Sequence, residues 1–322
     1  MLAFVVRRLL VAVVIAFLVA TFSFVLVHAA PGEPFAALRE DARVTPEMAQ
    51  RIREQYGLDR PLGEQYVRYI VSLARGDLGE SILQRRRVSS VLGDALPNSL
   101  LLMGTALVIA FALGVTLGAL QAYRHGSAFD RAVGGLSLTL ASIPEYLLAI
   151  ALLLAAAFLL PTLPTTGISD PVLWRFMSPL QRLIDVARHL ILPATTLVLI
   201  IASVVARYQR AALLDVLRDD FVRTAKAKGL SRARVLFHAL RNALLPTITL
   251  IGLLFPALFG GAVFVENVYG WPGMGRTIVD ALTGRDYPLI LGSLVIGSVF
   301  VVVGGLVADI AAMSADPRTR AA

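Results

Sequence analysis

The residues able to carry chemistry in this chain form two groups, one acidic and solitary, the other basic and clustered. Glu145 sits in Ser142-Ile143-Pro144-Glu145, well inside an apolar run from Ala132 to Leu160. A carboxylate left against lipid costs at least about 2.5 kcal/mol, so Glu145 is expected to face water or a partner. The basic group lies between Asp220 and Pro246, where Arg223, Lys226, Lys228, Arg232, Arg234 and Arg241 alternate with apolar residues. Within it Gly229 suits a left-handed helix cap and Ser231 suits the start of the next helix, so the spacing predicts a stop, a sharp turn and a restart. On the second helix Val235, Leu236, Ala239, Leu240 and Ala243 turn to one side, with Arg234, His238 and Arg241 elsewhere. An amphipathic helix lying on anionic lipid would share that pattern, but it gives no reason for the Gly-Leu-Ser elbow.

Enzymatic chemistry finds little to use. The chain contains no GxxxxGK[ST] phosphate loop, so it is not itself an ATPase. No HExxH spacing occurs, and His28, His125, His189 and His238 are scattered, His238 being read as structural. With no cysteine, disulfides, thiolate metal sites and cysteine nucleophiles are excluded. Asp309 near the end of a span and Asp280 in an outer loop do not form the facing pair of an intramembrane aspartyl protease. No catalytic residue, metal site or bound cofactor is therefore expected.

The elements that must position Glu145 and the elbow follow from composition. Of 322 residues 57% are hydrophobic and 16% charged, whereas soluble domains are about half apolar and a quarter charged. This is the composition of a polytopic membrane protein. The net charge of +8 then sets orientation and meets membrane lipid, and without interleaved aromatics it does not indicate nucleic acid. Six spans are expected, at about Leu9–Ala29, Ser99–Ala122, Ala132–Leu160, Leu190–Ala206, Leu244–Val265 and Leu289–Ala308. The third is long enough to tilt or project, and the fourth is short. The first has a longer apolar core than a signal peptide, which reads as an uncleaved span.

Loop charge gives the orientation. With the N-terminus inside, fifteen Lys and Arg residues fall in the cytoplasm and five in the short outer loops, so the chain is read as N-in and C-in. The long outer loop from Pro31 to Asn98 holds ten basic and ten acidic residues. Thr45-Pro46 marks a helix start there, with Met48, Ala49, Ile52 and Tyr56 at helical spacing before Gly57. A second helix is predicted over Leu62 to Arg75, with Tyr66, Ile70 and Leu73 on one face, stopping at Gly76. This insertion reads equally as a solvated helical cap and as a docking surface for an extracytoplasmic partner. Pro144, Pro246 and Pro256 lie in or beside spans, where neighbours satisfy the freed carbonyls. Gly252, Gly260, Gly261, Gly297, Gly304 and Gly305 read as sites of close helix packing. Phe264 to Gly275 reads as an ordered re-entrant or capping turn near the outer mouth.

Several motifs, in order, carry a resemblance over nearly the whole chain. Pro31-Gly32-Glu33-Pro34, Tyr56-Gly57-Leu58-Asp59-Arg60-Pro61-Leu62, Gly76-Asp77-Leu78-Gly79-Glu80-Ser81, Phe264-Val265-Glu266-Asn267-Val268-Tyr269-Gly270-Trp271-Pro272-Gly273-Met274-Gly275 and Asp316-Pro317-Arg318 resemble the B-type permease subunits of dipeptide, oligopeptide and nickel ATP-binding-cassette (ABC) importers. Arg223, Thr224, Ala225 and Gly229 sit where such permeases carry the cytoplasmic "EAA" motif, which docks on the ATPase. Arg223 replaces the glutamate of the general motif, and the distance from Gly229 to Leu245-Pro246 is longer, as in the peptide and nickel branch.

The resemblance implies an all-α membrane permease with an N-terminal transmembrane helix (1–30), an extracytoplasmic helical insertion (31–98) and a permease core (99–322) whose coupling loop lies at about 207–245. It implies that Arg223, Thr224, Ala225, Lys226, Gly229, Leu230, Ser231, Arg232 and Val235 couple to the ATPase, and the cost of leaving Glu145 in lipid makes it a candidate for the translocation pathway of such a permease. It also implies a homologous second permease, two cytoplasmic ABC ATPases that bind ATP and Mg, and an extracytoplasmic solute-binding protein, at the inner or plasma membrane of a prokaryote. Short peptides are the expected cargo and nickel the alternative. From other classes, an ion-gradient-driven secondary transporter would need no ATPase, with Glu145 as its one candidate relay, and a membrane scaffold would move no substrate.

Overall fold

Long runs of Leu, Val, Ile and Ala make most of this chain α-helical, and the helices continue even through Pro97, Pro193 and Pro246. The computed structural model describes residues 2–29, 50–51, 54, 57, 59–254 and 262–315. Most of the predicted helix from Thr45, the motifs at Pro31–Pro34 and Asp316–Arg318, and Pro256, Gly260 and Gly261 lie outside them.

In chain order the described elements are α1 (Leu2–Ala29), α2 (Leu62–Ala74), a two-residue antiparallel pair β1 (Glu80–Ser81) and β2 (Arg86–Arg87), α3 (Val88–Tyr123), α4 (Ala128–Ser142) and α5 (Glu145–Leu159). After a 3-10 turn at Leu173–Phe176 come α6 (Pro179–Val216), α7 (Asp220–Ala227), α8 (Arg232–Leu254), α9 (Val263–Val268), α10 (Met274–Gly284) and α11 (Tyr287–Ala315). Among the described residues four stretches are long and apolar enough to cross a membrane: Leu10–Ala29, Val88–Tyr123, Pro179–Val216 and Tyr287–Leu306. The pair α4 and α5 makes a fifth if counted as one broken span.

Two elements differ from the sequence reading. The run from Ala132 to Leu160 is not one helix, because α4 and α5 meet at 106°. Proline disfavours helical geometry in the residue before it, and Ile143 is extended, at φ −76° and ψ 128°. The short span at Leu190–Ala206 is the middle of the 38-residue α6. Its polar ends are helical too: a Ser178–Gln181 capping box and Pro179 in the first turn start it.

The described chain divides into two compact units. The first comprises residues 1–98 and 273–303, the second 99–272 and 304–322.

In the first unit Val88, Val91, Leu92 and Ala95 pack with Met274, Ala281, Leu289 and Ile290. Phe24 stacks on His28 at 4.0 Å, and Tyr66 bonds Thr21 Oγ1 at 2.8 Å, which fastens α2 to α1. Asp286 is fully buried; it accepts the Ser81 hydroxyl at 2.6 Å and the Leu83 N–H at 3.1 Å, and it caps α11 through the Leu289 N–H. Gly76 ends the α2 segment at φ +76°.

In the second unit the core joins α3, α5 and α6 to the turn after α9. Gly114 and Gly118 let α3 approach α6 closely: a Cβ at Gly114 would lie 2.6 Å from the Val205 Cβ, and one at Gly118 2.5 Å from the Ala206 carbonyl. Small residues four apart give this packing in membranes.

Candidate functional site

The elbow between α7 and α8 is built as its sequence suggests. Gly229 lies at φ +75°, a region that L side chains rarely adopt. The Gly229 N–H donates to the Lys226 carbonyl at 3.0 Å and the Leu230 N–H to the Ala225 carbonyl at 3.3 Å. Together these are the paired bonds of a Schellman stop, which satisfies carbonyls that the last turn of α7 leaves open. Two residues later the Val235 N–H donates to the Ser231 carbonyl at 3.0 Å, and α8 is under way.

Below the elbow lies an apolar bed. Val222 of α7, Val235, Ala239 and Ala243 of α8, Leu213 of α6 and Ala122 of α3 are all buried and form one cluster. Ala225, Leu230, Leu236 and Leu240 pack against it. Deeper still, Gln209 is fully buried; its Oε1 accepts the Thr247 hydroxyl at 2.6 Å and its Nε2 donates to the Ala243 carbonyl at 3.3 Å. That brace ties α6 to α8 through polar groups with nowhere else to bond.

Above it the surface is mainly polar, with Phe221 and Phe237 also exposed. Arg223, Thr224, Lys226, Lys228, Gly229 and Ser231 are exposed, as are Arg234, His238 and Arg241. The Arg223–Asp220 pair at 3.2 Å is exposed on both sides, so it adds little stability. Nine residues were predicted for this site. Val235, Ala225 and Leu230 anchor it, Gly229 bends it, and Arg223, Thr224, Lys226 and Ser231 face outward. Arg232 contributes its backbone to the first turn of α8.

Glu145 stands apart from the elbow. It is half-buried in the first turn of α5, immediately after the Pro144 break. A helix N-terminus favours a carboxylate, which supplies a physical reason for the charge that the sequence reading lacked.

Three carboxylates of structural weight were not singled out in the sequence. Glu266 is fully buried on α9 and accepts the Ser99 hydroxyl at 2.6 Å. The turn that follows is also closed: the Tyr269 hydroxyl donates to the Ala149 carbonyl and pairs with Thr196 Oγ1, both at 3.0 Å, and the Trp271 N–H donates to the Glu266 carbonyl at 2.8 Å. Asp130, 5% exposed, sits in the first turn of α4, ahead of the apolar run that begins at Ala132, and receives Arg210 at 2.7 and 2.9 Å. The Arg210 guanidinium, with the Gly126 N–H, holds that carboxyl well below the usual carboxylate range. The third, Asp286, lies in the first unit. Gly114 and Gly118 were missed as well, although their spacing inside an apolar run is a readable signal.

Comparison with known proteins gives the chain a family. The sequence model of the family described as "Binding-protein-dependent transport system inner membrane component" matches residues 114–321, and that of its N-terminal part matches residues 1–103. The chain is 38% identical over 320 residues to the oligopeptide transport system permease protein of Bacillus subtilis, covering 99% of each. It is 38% identical to the di/tripeptide transport system permease protein of Pseudomonas aeruginosa and 34% identical to the dipeptide transport system permease protein of Escherichia coli K12, again over 99% of both chains.

Proposed function

This chain belongs to the family of binding-protein-dependent transport system inner membrane components, and on that premise we propose that it forms half of the membrane pathway of an ATP-driven importer of short peptides. It is a multi-pass inner-membrane protein. The naming of its relatives as oligopeptide, di/tripeptide and dipeptide permeases supports the cargo class.

The observation that carries the mechanism is the elbow: a left-handed Gly229 stop fixed on an apolar bed, with its polar face outward. In the proposed topology six spans run N-in to C-in and the elbow lies in the cytoplasm. There it docks on one of two ABC ATPases, while a homologous permease completes the pathway and a solute-binding protein delivers the peptide from outside. ATP and Mg act in the ATPases. Their closure moves the elbow as a stiff lever, and the Gln209 brace passes the displacement to α6. A floppy loop would absorb the same motion.

Glu145 borders the pathway in this reading and attracts the amino terminus of a peptide. Glu145→Gln keeps the shape and removes the charge. It is expected to lower uptake of cationic peptides relative to neutral ones, and an unchanged ratio removes the electrostatic role.

The test of the function is uptake of labelled dipeptide and of nickel into vesicles that contain this chain with its neighbouring permease, ATPases and binding protein. ATP-dependent dipeptide accumulation is the expected result. Nickel accumulation in place of dipeptide gives the cargo to the metal, and uptake driven by an ion gradient without ATPases overturns the mechanism.

A further inference from the structure

Beside the Asp130–Arg210 pair a cleft of roughly 860 Å³ opens between α4 and α6, bounded at its floor by Gln121 of α3. Arg131, Arg207 and Arg210 line it, against the single carboxylate of Asp130. That carboxylate is already engaged by Arg210. Arg131 bonds the Gly126 carbonyl at 2.8 Å, and Arg207 makes no hydrogen bond or ion pair among the described residues. The cleft thus carries a surplus of guanidinium donors.

Its floor adds a second, independent demand. Gln121 is fully buried, and its Nε2 donates to the Asp130 carbonyl at 3.3 Å. Its Oε1 is left as a buried acceptor with no partner among the described residues. Such a group is costly unless a donor reaches it. Gly134 and Gly135 keep the wall low, and a Cβ at Gly135 would meet nothing within 4 Å. Leu138 and Val204 supply apolar wall. Leu138 and Tyr208 are exposed, at the level where the apolar stretch of α6 gives way to Arg207.

An anion for the arginines, a hydroxyl for Gln121 and a hydrocarbon chain for Leu138 and Val204 are three parts of one kind of molecule. We propose that this cleft binds the headgroup of an anionic glycerophospholipid of the phosphatidylglycerol type, with its phosphodiester against Arg131 and Arg207 and its glycerol hydroxyl toward Gln121 Oε1. Basic pockets between helices near a membrane surface take such headgroups, and the guanidinium fork fits phosphate oxygens in pairs. The inference rests on residence in the membrane and is independent of what the chain transports.

The test is native mass spectrometry of the full chain, purified with its partner subunits and reconstituted in nanodiscs of phosphatidylcholine with or without phosphatidylglycerol. The wild type is expected to retain phosphatidylglycerol in preference to phosphatidylcholine. Arg207→Gln leaves the Asp130–Arg210 pair untouched and is expected to reduce that retention about fivefold. Gly135→Leu fills the cleft and is expected to abolish it. Gln121→Met is expected to erase any preference for phosphatidylglycerol over phosphatidic acid, which has the phosphate without the glycerol hydroxyl. Equal retention in the wild type and Arg207→Gln overturns the proposal, whether or not Gly135→Leu folds. Thermal protection by millimolar inorganic phosphate equal to that given by the lipid overturns it in favour of a free anion. Loss of a co-purifying subunit from Gly135→Leu with lipid retention unchanged shows that protein fills the cleft, and overturns it too.

Discussion

Two turns in the second unit use the same backbone device to opposite ends. Each follows a short helix and places a glycine in the left-handed region, Gly229 at φ +75° and Gly270 at φ +61°. Around Gly270 the large side chains of the turn are closed in: Tyr269 and Trp271 are buried, and Glu266 holds the Ser99 hydroxyl across 167 positions of sequence, while Phe264 and Asn267 remain exposed. Around Gly229 only the underside is closed, and Arg223, Thr224, Lys226, Lys228 and Ser231 are turned out. Backbone geometry is therefore common to the two turns. The side chains separate a turn packed into the fold from one whose outer face is open.

The comparison breaks most visibly at Gly229. No atom lies within 4 Å of a Cβ built there, so Gly229→Val introduces backbone strain and no clash, about 1–3 kcal/mol at one exposed turn. The protein is expected to remain inserted and abundant while dipeptide uptake falls at least about tenfold, since a small misplacement in a positioning element is amplified. Gly229→Asn, which tolerates the left-handed region, should retain most uptake. Normal uptake and normal ATPase pull-down in Gly229→Val would remove the elbow from the mechanism.

At Glu266 the expected effect is on stability. Glu266→Ala leaves the Ser99 hydroxyl buried without this acceptor and opens a small cavity, a loss of about 3 kcal/mol. A lowered melting temperature in detergent is the readout, and the wild-type value would show that the turn is not a closed unit.

A smaller effect is expected at Asp130, which sharpens the contrast because its pair is neither sealed nor free. Asp130→Asn should cost about 2 kcal/mol at neutral pH. Because the folded carboxyl titrates below its ordinary range, the contribution is present in full above about pH 4 and is lost as pH falls through the lowered value. Melting curves of wild type and Asp130→Asn should converge in acid, and a gap that widens on acidification would contradict the pairing.

The elbow was legible in the sequence because its signals are local. A glycine, a basic face and an apolar stripe within thirty residues specify it, and the structure adds the bed beneath. The bend at Pro144 was half legible: the proline stands in the sequence, but an uninterrupted apolar run favours one long helix until Ile143 is seen extended. The ends of α6 were hidden because they are amphipathic and fall below the threshold of an apolar span. Glu266 and Asp286 were illegible for a different reason. Ser99 and Ser81 lie 167 and 205 positions from their carboxylates, and no local pattern connects them.

The closeness of α3 and α6 at Gly114 and Gly118 restricts the motions open to the second unit. With backbone against side chain and carbonyl at these two levels, screwing α3 forward by one residue would bring the side chains of Val115 and Ala119 to positions where even a single Cβ has no room. The two helices therefore travel together as a single chassis. A reorientation within this unit then has to fall outside that contact, and the extended Ile143, where α4 and α5 meet at 106°, is one break in the helical path that leaves it untouched.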